Sequence, residues 1–266
     1  MQVLSFSARA RRADEECACT VTAHTTLRVP LESIGALRDN PGLDSSPSLP
    51  PRFLRHSDEQ TVVGVAAVLR AMAEPQLAGT DFSEWGVLAA PRLLGRLNAA
   101  SMLSKFMEFG PPAISPHAIP QHSLHAVSSA VSVALGMRGP NFGIGGGPEC
   151  LAEGLLVALT FLRAAQAPGM WLVLTEWDTD PIPDGNGGST TPAVCCASAL
   201  ALVADAGSGT RLRLRPTPAR QSRLGLVDWL SNPALMSATG HWTLPLSWGG
   251  HIEFVVGEQL QQRKAA

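Results

Sequence analysis

The sequence predicts an α/β layered fold built as a single domain over residues 1–266. Three observations carry that reading. Short apolar runs of strand length, such as Trp85–Ala90 and Met170–Thr175, alternate with longer apolar segments of helical length. The segments around 61–69 and 149–165 are apolar on nearly every side, as helices covered on several faces are. Hydrophobic residues make up 45% of the chain and charged residues only 16%, enough for a sizeable core with little surface charge to spare. Such a balance often accompanies a chain that buries part of its surface against a partner.

Taken in order, Gln2–Ala8 reads as an opening strand, and Val29–Pro51, with five prolines, as a loop. Ser57–Ala73 reads as a buried helix stopped by Pro75, and Trp85–Ala90 as a short buried strand. In Ala99–Phe109 the residues Met102, Leu103, Phe106 and Met107 recur at helical spacing, before a stop at Gly110-Pro111-Pro112. Ser123–Leu135 is a helix of Ala, Ser and Val, whose small side chains let backbones approach closely. A strand at Asn141–Ile144 leads into the turn Gly145-Gly146-Gly147-Pro148, and a long core helix runs on to about Ala165. The strand Met170–Thr175, the loop Asp178–Thr191 and the strand Val194–Ala204 follow. Thr210–Arg215 is a strand whose Arg211, Arg213 and Arg215 suggest a solvated face. Beyond Ser222 only Ile252–Val256 is read as an element, a final strand.

Several functions are excluded at this stage. A net charge of −2 with no basic run argues against a nucleic-acid partner. The cysteines Cys17, Cys19, Cys150, Cys195 and Cys196 are odd in number and two are adjacent, so a disulfide framework is not expected. Cys17-Ala18-Cys19 has no second ligand pair to complete a zinc site. His117, His122 and His125 straddle Pro120 with no nearby carboxylate to orient them, so they read as structural histidines and no metal is expected. The glycines at 143–147 lack the third glycine and the acidic residue of a dinucleotide fingerprint, and there is no phosphate-binding lysine motif. No cofactor is expected. No apolar window approaches a membrane span and no apolar signal core opens the chain, which predicts a cytoplasmic protein without membrane insertion.

The stretch Ser115–Asp178 carries a family resemblance. Ser115-Pro116, then Pro120-Gln121-His122-Ser123-Leu124-His125, then Gly136-Met137-Arg138-Gly139-Pro140 resemble the opening of the β-ketoacyl synthase pattern. The strand, glycine turn, buried helix, second strand and Glu176 follow in the family's order without a gap. Val194–Ala204 matches more loosely a family strand after the acyl-binding loop. The resemblance implies the thiolase-like layered fold, here an N-terminal half plus a shortened C-terminal remnant at 208–266. The short tail leaves no room for the second half that supplies the family's two assisting histidines. Ala238-Thr239-Gly240-His241 and Ser247-Trp248-Gly249-Gly250-His251 only echo that half.

The departure that matters lies at the nucleophile. Eight residues beyond Pro140, at the family's cysteine position, stands Pro148. Proline has no thiol, yet it suits the first turn of a helix, so the turn can survive without the chemistry. Cys150, two residues on, is turned about 200° around the helix and reads as a buried core cysteine. No catalytic residue is therefore assigned. The chain is most similar to the short chain-length-factor-like subunits of bacterial aryl polyene and type II polyketide systems, which lack the cysteine. That resemblance implies a heterodimer with an active ketosynthase, an acyl carrier protein as a further partner, and a shared acyl tunnel. Ile119, His122, Leu124 and Phe142 are its expected interface and tunnel residues. Two other readings stand beside it: an acyltransferase, thioesterase or decarboxylase using Cys150, and a homodimer that binds acyl groups or acyl carriers.

Overall fold

A computed structural model describes residues 17–43, 46, 49–116, 118–205 and 209–257. The expected opening strand Gln2–Ala8 lies outside the described residues. The elements run β1 (Cys17–Pro30), α1 (Ile34–Asp39), α2 (Glu59–Ala71), β2 (Gly86–Pro91), α3 (Arg96–Phe109), α4 (Ala118–Gln121), α5 (Ala126–Ala134) and β3 (Asn141–Gly143). They continue with α6 (Cys150–Arg163), β4 (Gly169–Trp177), β5 (Val194–Ala204), β6 (Thr210–Arg215), α7 (Leu226–Leu230), α8 (Pro233–Thr239), β7 (His241–Pro245) and β8 (His251–Val255).

The eight strands of the described residues form one mixed sheet in the order β3-β2-β4-β5-β1-β6-β8-β7. β2 is parallel to β3 and to β4, and every other pairing is antiparallel. Where helices cover both faces, β2, β4 and β5 are apolar along most of their length instead of alternating with polar residues. Along β4, Trp171 and Val173 enter the core under α2 and α5, while Leu172 and Leu174 enter the core under α6. Gly64 lets α2 lie close to the sheet, since a β-carbon there would come within 3.2 Å of Val173 and Thr175. Asp58 caps α2 by accepting from the Thr61 amide at 2.6 Å, and its second oxygen accepts from the Gly95 amide at 3.0 Å. That carboxylate ties the start of α2 to the start of α3.

Three expectations need correction. The loop expected over Val29–Pro51 holds the end of β1 and the short helix α1, which buries Ile34 and Leu37 one turn apart between Pro30 and Pro41. The solvated face expected at Arg211, Arg213 and Arg215 is half-buried and held by ion pairs. Arg213 sits opposite Glu253 in register, Glu253 pairs with both Arg213 and Arg215, and Arg211 pairs with Asp205. The tail beyond Ser222 is folded: β6, β8 and β7 extend the sheet past β1, and Trp229, Trp242 and Phe254 pack into the core that α6 also enters. No helix among the described residues is long and apolar enough to cross a membrane.

Candidate functional site

The site forms where the parallel strands end. Gly145 and Gly146 adopt φ of +87° and +93°, a left-handed conformation that a side chain would strain. Backbone hydrogen bonds stitch this turn to the end of β2: the Ile144 amide donates to Ala89, the Gly146 amide to Pro91 and the Leu93 amide to Gly146. The turn thereby sets the first residue of α6 over the carboxyl ends of β2 and β4, where open α/β sheets commonly place ligands.

A cavity of about 260 Å³ opens at this point. Leu174, Glu176 and Ser198 contribute from β4 and β5, and Cys150 and Leu151 from the start of α6. The residues at 221–227, with Trp242 and Leu244, close it from the tail. Cys150 is 5% exposed, and burial, reinforced by the neighbouring Glu176 carboxyl, pushes its thiol up to about 11. The Leu151 amide at the helix start acts in the opposite direction and is outweighed. Burial also raises Glu176, against the pull of Arg92, whose own guanidinium lies 3.4 Å from Asp180. Both groups at this end of the cavity are thus biased toward their neutral forms.

The residues singled out in the sequence fall in different places. Pro148 is exposed on the turn before α6 and does not line the cavity. Cys150 is buried, as expected, but it forms part of the cavity wall. His122 packs against Gly95, where a β-carbon would come within 3.1 Å of its side chain, and its Nδ1 is buried without a partner. Burial lowers the pKa of that ring. Leu124 lies over Gly146, and its carbonyl presses on Gly143. Phe142 turns to the α6 side, with its ring 4.7 Å from that of Phe161. Ile119 is in α4 with its side chain outside the described residues, as is His117 altogether. Leu124 therefore reaches the glycine turn, His122 lies at the start of α3, and Phe142 stands apart from both.

His241 is exposed, and His251 is buried with Nδ1 2.6 Å from the Thr217 carbonyl; neither lines the cavity. Among the described residues no three His, Cys, Asp or Glu side chains converge on a common point. Sequence reasoning missed Ser198 and the tail residues of the wall. Ser198 is one small polar residue inside an apolar strand, and nothing local marks it.

No protein-family model matches the chain, and no curated protein matches it in sequence. Solved structures do match in fold. A chain from the ketosynthase of Xenorhabdus doucetiae in complex with its chain length factor superposes with a TM-score of 0.57 at 15% identity. That match covers 90% of this chain and 99% of the other. A chain of the ishigamide ketosynthase/chain length factor gives 0.52 at 15% identity, covering 74% of this chain and 66% of the other. A β-ketoacyl synthase from Burkholderia phymatum gives 0.51 at 10% identity, covering 85% and 69%. The eight-stranded mixed sheet with its covering helices is the thiolase-like fold of the ketosynthases. Within that fold the chain resembles the chains of ketosynthase/chain length factor complexes.

Proposed function

We propose that this chain is a non-catalytic chain length factor that pairs with an active β-ketoacyl synthase and shapes its acyl tunnel in polyketide, aryl polyene-like biosynthesis. One observation carries the reading: the glycine turn leads into a buried helix, in the order the ketosynthase resemblance implies, with Pro148 exposed on the turn and Cys150 buried and biased toward its neutral form. A condensing enzyme needs a thiolate there. The fold likeness supports the same reading, because one matched chain comes from a ketosynthase in complex with its chain length factor and another from an acyl-carrier protein in complex with its ketosynthase. β3 ends the sheet, with no strand on its outer edge among the described residues, and α5 packs beside it. In this reading the ketosynthase docks along that edge, with Ile119, His122 and Leu124 near the shared tunnel. Co-expression with candidate ketosynthases followed by size-exclusion chromatography tests the pairing. A stable one-to-one complex is expected, and a chain that ignores every ketosynthase offered leaves the proposal without support.

A second reading is an acyltransferase, thioesterase or decarboxylase using Cys150, favoured by Cys150 and Glu176 sharing one cavity. Alkylation separates the two. With its thiol moved from an ordinary value of 9.0 to about 11, Cys150 should hold about a hundredfold less thiolate than a free thiol near neutral pH and react about tenfold or more slowly. Its rate should rise about tenfold per pH unit until pH approaches 11. Peptide mapping after iodoacetamide treatment reads this directly, and Cys150→Ala should leave the activity of the assembled complex nearly unchanged. Rapid alkylation at pH 7, with loss of activity of more than about a hundredfold on Cys150→Ala, would establish the enzyme reading instead.

A further inference from the structure

The segment 220–225 runs over the cavity beside α6 as a strap with neither helix nor strand. Its two ends are fixed. Before it, His251 Nδ1 lies 2.6 Å from the Thr217 carbonyl, and after it Leu226 and Trp229 are buried in the core under α6. Between these anchors Arg220, Gln221, Arg223, Leu224 and Gly225 are exposed, and Ser222 is half-buried.

The middle of the strap is held by β7. The Ser222 amide donates to the Thr243 carbonyl at 3.0 Å, and the Thr243 amide donates to Ser222 Oγ at 2.9 Å. Thr243 Oγ1 donates to the Arg220 carbonyl at 2.6 Å, and the Trp242 indole N–H donates to the Leu224 carbonyl at 2.9 Å. Of the strap's own amides, only that of Ser222 bonds to backbone elsewhere among the described residues. Beneath the strap lies the cavity of about 260 Å³, with Cys150, Leu151 and Leu174 in its wall. A segment with exposed backbone, few buried apolar contacts and space on one side opens locally far more readily than the core around it.

The strap also sits far from the edge at which a ketosynthase is placed above. β7 ends the sheet at one side and β3 at the other, so pairing along β3 leaves the strap uncovered. We propose that residues 220–225 are a gate: released from Thr243 and Trp242, the strap lifts off β7, opens the cavity to solvent and exposes Cys150. The gate belongs to the single chain and does not depend on the pairing.

Cys150 reports the opening, because a buried thiol that recloses quickly is alkylated in proportion to its open population. The full chain is treated with N-ethylmaleimide at mildly alkaline pH, and each cysteine is followed by peptide mapping. Thr243→Val keeps the shape of a half-buried side chain but removes the hydroxyl latch, and should raise the Cys150 rate about tenfold. Ser222→Cys combined with Thr243→Cys places thiols where the parent hydroxyls lie 3.4 Å apart, within reach of a disulfide. With that bridge formed by mild oxidation the Cys150 rate should fall about tenfold or more, and reduction should release it. Cys195, 0% exposed in the core under α2, should stay protected throughout, which separates opening of the gate from unfolding of the chain. The proposal is overturned if Thr243→Val is alkylated at the parental rate, if bridging leaves the Cys150 rate unchanged, or if Cys195 reacts in step with Cys150. Should the bridge fail to form, Thr243→Val decides by itself.

Discussion

Val133→Glu is expected to abolish pairing with an active ketosynthase while leaving the chain itself folded. Val133 is 68% exposed on α5, the helix that packs beside β3 at the end of the sheet. Its neighbours on that helix, Ala126, Ser129 and Ala130, are small enough for a partner to come close. In water a glutamate at this position is solvated and changes stability by no more than about 0.5 kcal/mol. Covered by a partner it becomes an unpaired buried carboxylate, at a cost of several kcal/mol. At about 1.4 kcal/mol per factor of ten, the affinity should fall by at least a hundredfold. Calorimetric titration of the ketosynthase, alongside thermal unfolding of the free variant, measures both halves. Pairing at parental strength would move the interface away from the α5 and β3 edge.

Phe142→Asp is expected to weaken the chain itself by about 3 kcal/mol or more, whether or not a partner is present. The residue lies at the centre of β3, opposite Leu88 in register, with its ring 4.7 Å from Phe161 of α6. Removing an aromatic ring from such a contact costs roughly 3–5 kcal/mol when it is fully buried, and this half-buried ring belongs near the lower end. The new carboxylate adds a desolvation cost of its own. Urea unfolding should show an earlier midpoint in the isolated chain. A variant that unfolds like the parent but no longer binds a ketosynthase would instead place the side chain in the interface.

The two variants separate what β3 does for the chain from what its edge offers a partner, and that distinction is not visible in the sequence. Asn141–Ile144 reads as a strand because it lies between Gly139-Pro140 and the glycine turn. The side to which Phe142 points depends on the parallel pairing with β2. β1 shows the same limit more strongly. Its middle carries Thr22, His24, Thr25, Thr26 and Arg28, which leave no clean alternation. It becomes a 14-residue strand because β5 runs antiparallel along its length and β6 pairs with its first part. The helices α2 and α6 were legible because their apolar residues recur in every direction over three or more turns. α1, at six residues, is too short for a period to show.

By itself the sequence determined the local chemistry. It set a glycine turn able to take positive φ, a proline in the turn before a helix, and a core helix beginning at a cysteine. Those properties belong to residue types and to spacing within one turn, so they survive without knowledge of the fold. Only the tertiary structure decided what surrounds Cys150. The thiol is pushed up by burial beneath residues 221–227 and by Glu176, groups far along the chain, and the orphan Ser198 hydroxyl arrives from a third strand. Desolvation depends on everything packed around a group, and no window of neighbouring residues contains that information.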